Sequence, residues 1–191
     1  MRVYLTNWLK SAEPRLRAST FTRYSGIVDR QIIPALGTVK VAKLQPVAVS
    51  RMLAELQQTG LSPRTCHHVR AVLRTALQDG MRDRVLAQNA ATLGRGPKVE
   101  NFHVEPMSPA HAGVMLDAVA GTDLEAPVAC ALWTGLRQGE LLGLRWADVD
   151  LDARRLSVSV TLQRRGGAWH VQPTKTDKSR RTVALAAPLV T

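Results

Sequence analysis

The hydrophobic period of this chain changes once, at Asp150, and that change limits the fold more than any other feature. Before it, apolar residues recur at spacings of three and four, the period of helices that bury one face. After it, Leu156, Val158 and Val160 alternate with Ser157, Ser159 and Thr161, the period of a half-buried strand. Arg164-Arg165-Gly166-Gly167 reads as a hairpin turn, and Trp169 to Thr174 as a second strand. Residues 176–179 turn again into a third, Thr182-Val183-Ala184-Leu185. The chain therefore reads as mainly α with a small, three-stranded antiparallel β-sheet whose turns are basic.

Punctuation places the helices. Val3 to Leu9 is a short helix with Tyr4, Leu5, Trp8 and Leu9 on one side. Ser19-Thr20 offers an N-cap for a helix to about Ile33, with Phe21, Tyr24, Ile27, Val28 and Ile32 inward and Pro34 and Gly37 ending it. A third helix, from Pro46 to Gly60, turns Val47, Val49, Met52, Leu53 and Leu56 inward. Ser62-Pro63 is a cap followed by proline at the first helical position. The fourth helix it opens runs to about Asp79 and buries Val69, Val72, Leu73, Ala76 and Leu77. Gly94, Gly96, Pro97 and Pro106 mark a linker. Ser108-Pro109 caps a helix through Val119, and Leu124 to Trp133 forms another. The expected domains are residues 1–95, helical; 96–105, linker; and 106–191, mixed α and β.

Charge is unevenly placed. Residues 1–98 hold 16 Lys/Arg against 5 Asp/Glu, which accounts for the whole net charge of +11. Residues 100–136 contain five acids and no Lys or Arg, a pattern that uniform codon bias toward arginine would not leave. A polyanion partner on particular faces is the implication. No apolar run approaches a membrane span, and Met1-Arg2-Val3-Tyr4 does not begin a signal peptide. Cys66 and Cys130 are far apart and outside any metal-ligand spacing, so two reduced core thiols are expected, with no metal site, in the cell interior.

One string carries the chemistry: Thr134-Gly135-Leu136-Arg137-Gln138-Gly139-Glu140-Leu141-Leu142-Gly143-Leu144-Arg145-Trp146-Ala147-Asp148. An apolar run, Ala126 to Leu132, leads into Gly135, a helix-stopping residue. A second helical pattern starts near Arg137, with Leu141 and Leu144, and Leu142 and Trp146, spaced to face a core. Arg137 and Glu140 are three apart and so share a helix face. Arg137 then falls in the first turn, beside free backbone N–H groups, where a phosphate is well accommodated. Spacing alone favours a solvated surface ion pair; the whole string points elsewhere. Gly135, Gly139 and Gly143 also mimic a membrane helix-dimer motif, which Arg137 and Glu140 rule out.

The string resembles the first box of the tyrosine recombinases, the phage-integrase family, whose pattern is Thr-Gly-Leu-Arg-x-x-Glu-Leu-x-x-Leu-x-Trp-x-Asp. The resemblance implies that Arg137 is the first catalytic arginine, clamping the scissile phosphate, and that Glu140 is its buried supporting carboxylate. Residues 174–181 resemble the family's β-hairpin box, which makes Lys175 the catalytic lysine. Taken alone, a lysine in an exposed turn is only a solubility residue. The N-terminal half resembles the family's core-binding domain, through the Ser-Thr helix start, Ile33-Pro34-Ala35-Leu36-Gly37, Leu61-Ser62-Pro63-Arg64-Thr65 and Gln88-Asn89-Ala90. Proline often stands in the family where this chain has Ala90.

The implied fold is a SAM-like four-helix core-binding domain followed by an incomplete α+β catalytic domain. The implied reaction is cleavage and rejoining of a DNA phosphodiester through a 3′-phosphotyrosine. An arginine fork would stabilise charge on the non-bridging oxygens, and a lysine of lowered pKa would protonate the 5′-oxygen. Lys178, Arg180 and Arg181 are the candidate cations beside it. Candidate DNA contacts are Arg64, His68, Arg70 and Arg74 on the fourth helix, with Lys178 and Arg180 in the turn. The helix charges read equally as a solvated face.

The family places a His-x-x-Arg box and its tyrosine nucleophile after the hairpin, whereas this sequence ends at Thr191. Its two tyrosines, Tyr4 and Tyr24, lie in the first domain, and His67-x-x-Arg70 precedes Arg137, a coincidental match. Two readings follow. One is a truncated recombinase that binds DNA without cutting it alone. The other is a non-enzymatic DNA-binding regulator, or decayed remnant, that reuses the fold. Either implies double-stranded DNA as partner, a homo-oligomer on DNA, no cofactor, no membrane, and the nucleoid of a bacterial or phage-infected cytoplasm.

Overall fold

The structure, a computed structural model, describes residues 1–100, 103–173 and 180–190. The chain divides into two compact units, Met1–Phe102 and His103–Thr191. The first is helical: α1 (Arg2–Ala12), α2 (Ala18–Ile27), α3 (Ile33–Leu36), α4 (Pro46–Gln58), α5 (Pro63–Arg82) and α6 (Ala90–Leu93). Its core is aliphatic. Leu5 and Leu9 of α1, Val49, Met52 and Leu53 of α4, and Val69, Val72, Leu73, Ala76 and Leu77 of α5 converge in it. These are helix faces repeating at three and four residues, and each large side chain so buried contributes about 1.5–3 kcal/mol. Cys66 lies in the same core, where burial pushes its thiol pKa up. At the start of α5 the Ser62 hydroxyl accepts from Thr65 N at 3.2 Å, and Pro63 fills the first turn.

The second expected helix differs at both ends. Its N-cap is Arg17, and Ser19 and Thr20 lie inside α2. Nor does it stop at Pro34. A π-helical turn, Val28–Ile32, links α2 to α3, and Pro34 sits in the first turn of α3. Proline removes one N–H donor and crowds the preceding turn, and a wider turn just before it accommodates both. Val47, expected inward, is exposed at the start of α4. Helix α6 lacks a sequence signal of useful length. It is capped by buried Asn89, whose Oδ1 accepts from Ala91 N at 3.1 Å and whose Nδ2 donates to Arg74 O at 2.9 Å. The chain beyond it stays fastened to the first unit through Arg95 N to Ser50 Oγ, 2.9 Å, and His67 Nε2 to Pro97 O, 2.8 Å.

Among its described residues the second unit contains α7 (Pro109–Val119), α8 (Glu125–Thr134), α9 (Gln138–Leu142) and five strands: β1 (Val149–Asp150), β2 (Arg155–Val158), β3 (Val160–Arg165), β4 (Ala168–Pro173) and β5 (Arg181–Ala184). The strands form two antiparallel sheets, β1-β2-β5 and β3-β4, rather than one three-stranded meander. The expected first strand breaks at Ser159 into β2 and β3. The Ser159 hydroxyl donates to Asp148 Oδ1 at 3.3 Å, and Asp148 takes a two-point bond from Arg145 at 2.7 and 3.0 Å. Those bonds hold Asp148 ionised, its pKa lowered chiefly by Arg145. With the strand broken there, the β3-β4 hairpin leaves the sheet and β5 pairs directly with β2, Leu156 opposite Val183.

Leu136, Leu156, Val158 and Leu185 form the buried centre of this unit. Neither α7 nor α8 contributes a fully buried residue. An open cleft of about 760 Å³ is lined by Cys130, Leu141, Leu144, Trp146, Leu156 and Leu185 among others. Leu142 and Trp146, expected to face a core, are exposed, Trp146 at 84%. The physical reason is that α9 ends at Leu142 and a separate 3-10 turn begins at Trp146, so the helical register does not carry across. Among the described residues no helix is long and apolar enough to cross a membrane.

Candidate functional site

Helix α8 ends on Gly135, whose φ of +63° is left-handed and costs a glycine nothing. That turn sends Leu136 into the core and brings Arg137 to the N-cap of α9 rather than into its first turn. The backbone amide expected to stand free there is taken: Arg137 N donates to Glu140 Oε2 at 3.0 Å. Arg137 Nη1 also donates to Glu140 Oε1 at 2.9 Å. The pairing read from the spacing is therefore present, but the carboxylate, not an open helix end, organises it.

Glu140 is 6% exposed and serves a second arginine. Arg181, the first residue of β5, donates from Nη1 to Oε1 at 3.2 Å and from Nη2 to Oε2 at 2.9 Å. The hydrogen bonds from Arg181 dominate and, with those from Arg137, outweigh burial and lower the Glu140 pKa to about 2. Arg181 is correspondingly held above its ordinary value by Glu140. The Arg137 guanidinium is the outward member, 75% exposed. With the carboxylate fixed between two arginines, the solvent-facing Arg137 guanidinium can donate to a phosphate oxygen without giving up its own charge partner.

Two glycines seat α9 on β3. A Cβ on Gly143 would lie 3.0 Å from Leu162 N, and one on Gly139 would collide with the Thr161 hydroxyl and lie 3.0 Å from Leu162 O. The four-residue glycine spacing thus serves a close helix–strand approach. It fixes α9 against one sheet while Glu140 is tied to the other through β5.

The remaining sequence candidates scatter. Lys175 and Lys178 lie outside the described residues. Arg180 is exposed just before β5. Arg64, His68 and Arg74 are exposed on α5. Arg70, grouped with them, is half-buried and donates to Ala91 O and Thr92 O, both at 2.9 Å. It fastens α6 onto α5, and His67 fastens the segment after α6, which gives the stray His-x-x-Arg string a structural account. Tyr4 OH donates to Ala76 O at 2.6 Å, and burial followed by the charge of Asp79 pushes its pKa up. Tyr24 stacks on Trp8 with ring centroids 5.9 Å apart. Among the described residues no three His, Cys, Asp or Glu side chains group as metal ligands.

Arg181 is the site residue that sequence reasoning passed over, naming it only as a neighbour for Lys175. The signal was present. Arg181, Val183 and Leu185 alternate with exposed Thr182 and Ala184, so period two alone puts Arg181 on the inward face.

Residues 2–57 match the family model described as phage integrase, N-terminal SAM-like domain. An integrase of Saccharopolyspora erythraea is 29% identical over 164 residues, 84% of this chain and 38% of its own length. A XerC-like tyrosine recombinase of Caldanaerobacter subterraneus is 28% identical over 190 residues, 91% of this chain and 49% of its own length. The Tn1549 transposon integrase, solved in complex with a circular intermediate DNA, has a TM-score of 0.83 over 98% of this chain and 62% of that chain, at 20% identity. The chain thus spans half or less of the length of these two sequence relatives.

Proposed function

We propose, for a chain that belongs to the tyrosine recombinase family, that it acts in site-specific DNA recombination by gripping double-stranded DNA and presenting Arg137 to a phosphodiester. The observation that carries this is the Arg137–Glu140–Arg181 cluster, in which a buried carboxylate holds an exposed arginine. The excess positive charge of residues 1–98 supplies the grip, with Arg64, His68 and Arg74 on α5 and Arg180 at the foot of β5 as backbone contacts. Arg70 stays with its carbonyl partners. Copies of the chain assemble on DNA, in a bacterial nucleoid or on phage DNA.

In the reaction, Arg137 stabilises charge on the non-bridging oxygens, and Lys175 protonates the departing 5′-oxygen. Strand cleavage through a 3′-phosphotyrosine belongs to the whole recombinase. These 191 residues hold Tyr4, bonded to Ala76 O, and Tyr24, stacked on Trp8, and neither is placed as a nucleophile beside Arg137 within its own unit. Stabilising a transition state accelerates nothing without a nucleophile to enter it.

The test is fluorescence anisotropy of labelled duplex DNA across a salt series, with nicked suicide substrates probed for a covalent adduct. Binding should weaken by a slope of about −0.9 per phosphate contact, for roughly four to eight contacts. No adduct should form. Arg137→Ala should leave most duplex affinity intact, because many backbone contacts share it. A flat salt response would sink the nucleic-acid reading, and an adduct lost in Tyr24→Phe would overturn the assignment of the site. If an intact recombinase carrying this chain cleaves no DNA yet binds its site tightly, the regulator reading replaces the enzymatic one.

A further inference from the structure

We propose that Arg181 is a positioning residue for Arg137: it locks the Glu140 carboxylate from the far side, so that Arg137 presents its guanidinium to a phosphate in one fixed orientation and with its positive charge uncancelled. The proposal rests on the reading that Arg137 holds a DNA phosphate.

The hydrogen-bond inventory of Glu140 is the first support. A carboxylate has about four acceptor positions. Oε1 accepts from Arg137 Nη1 and Arg181 Nη1, and Oε2 accepts from Arg137 N and Arg181 Nη2. All four are filled, two by each arginine, so the carboxylate has neither a spare lone pair nor freedom to rotate. Remove Arg181 and two positions inside a 6% exposed group lose their donors. The carboxylate would then turn toward Arg137 or toward water, and the guanidinium it steers would turn with it.

Charge gives the second support. Arg137 and Glu140 alone form a neutral pair, a poor lure for an anion. Two guanidiniums on one carboxylate leave the cluster one positive charge in excess, displayed at its outer member. Exposure is graded to match, with side chains of Arg181, Glu140 and Arg137 at 32%, 6% and 75%.

The third support is mechanical. Arg181 stands opposite Val158 in the β2-β5 pairing, a strand on the buried centre of the unit. Helix α9 is seated on β3 by Gly139 and Gly143. Glu140 is therefore fixed from two sheets at once, and the arginine it carries inherits that rigidity. The two-point contact needs the planar guanidinium fork; a lysine supplies one point charge on a flexible stem.

The test uses the 191-residue protein labelled with 15N at arginine. The Arg137 side-chain Nε–H resonance is assigned by its disappearance in Arg137→Lys and followed during titration with inorganic phosphate, then with duplex DNA. In the unaltered protein the resonance should shift with both. Arg181→Met should weaken the phosphate response of Arg137 about tenfold in apparent Kd, Arg181→Lys should restore part of it, and Glu140→Gln should match Arg181→Met. The double variant should be no weaker than either single one, the non-additivity expected of residues acting as one unit. Backbone amide shifts of β2 and β5 report folding; should Arg181→Met lose the sheet, Arg181→Lys and Glu140→Gln carry the comparison. A twofold or smaller change in both Arg181 variants, or additive effects in the double variant, would overturn the role of Arg181 while leaving phosphate binding by Arg137 standing. An Arg137 resonance that ignores phosphate and DNA alike would overturn both.

Discussion

Glu140 makes stability depend on pH in a defined direction. Its pKa is lowered from 4.5 to about 2, with Arg181 the leading cause. A group whose folded pKa is depressed stabilises the fold above its unfolded pKa and loses that contribution as pH falls toward the folded value. The contribution, on the order of 3 kcal/mol, should be constant above about pH 5 and fade between pH 4.5 and 2. Urea unfolding of the second unit, compared with Glu140→Gln, measures it: the difference between the two proteins should shrink across that window and nowhere else. On α5 a pair of arginines separates structure from binding. Arg70 donates two bonds to carbonyls, so Arg70→Ala should cost about 1–2 kcal/mol in denaturant melts. Arg74→Ala should lower duplex affinity and the salt slope while leaving the melt unchanged, since that side chain is exposed. The pairing of Arg137 with Glu140 was legible because it is local, three residues along one turn. The partnership with Arg181 was legible only by half. Strand alternation turns Arg181 inward, but which carboxylate waits there depends on a contact 41 residues away in sequence.

Elements show the same division. Caps are local chemistry, so Ser62-Pro63 and Ser108-Pro109 located the starts of α5 and α7 to the residue, while α5 runs on to Arg82, beyond the expected end near Asp79. Strand pairing is not local. Alternation located the centres of β2, β4 and β5 and the start of β3, but β3 runs on through Arg164 and Arg165, which read as turn, and nothing in the pattern says that Ser159 turns to Asp148 and splits one strand into two sheets. Glycines divide likewise by what surrounds them. Gly113, within α7, has open space where a Cβ would go, so Gly113→Ala should stabilise by about 0.5–1 kcal/mol through backbone entropy alone. Gly143→Ala, at the C-cap of α9, also reduces the freedom of the unfolded chain but drives a methyl against the Leu162 backbone at 3.0 Å. Its net effect should be a loss of about 1–3 kcal/mol and a displaced α9. Thermal melts of the two variants, together with the Arg137 side-chain resonance in Gly143→Ala, check this contrast. Equal behaviour of the two would mean that α9 is not seated on β3.

At the scale of the whole molecule, the two units differ in how much they bury. Among the described residues the first has a continuous core drawn from α1 to α6, including Leu5, Ile32, Leu53, Val69, Leu73 and Leu77 at 2% exposure or less. The second has four buried apolar residues, helices α7 and α8 without a fully buried side chain, and an open apolar cleft. Hydrophobic stabilisation follows buried area, and separate cores can open separately. The chain should therefore lack a single all-or-none transition. Native-state hydrogen exchange in low denaturant should rank the α5 amides around Leu73 highest in opening free energy, with those of β2 and β5 lower by several kcal/mol, as a distinct cooperative group. The difference has a functional edge, because the Arg137–Glu140–Arg181 cluster sits in the less stable unit and its order is inseparable from that of β5. If DNA phosphate engages Arg137, ligand binding to the folded form should raise the opening free energy of β5 in proportion to RT ln(1 + [DNA]/Kd), and Arg181→Met, which weakens the Arg137 contact about tenfold, should reduce that gain while leaving any protection of α5 in place. Equal protection of α5 and β5 without DNA would show one cooperative core instead of two, and a DNA-induced gain on β5 that Arg181→Met leaves undiminished would disconnect Arg181 from phosphate binding.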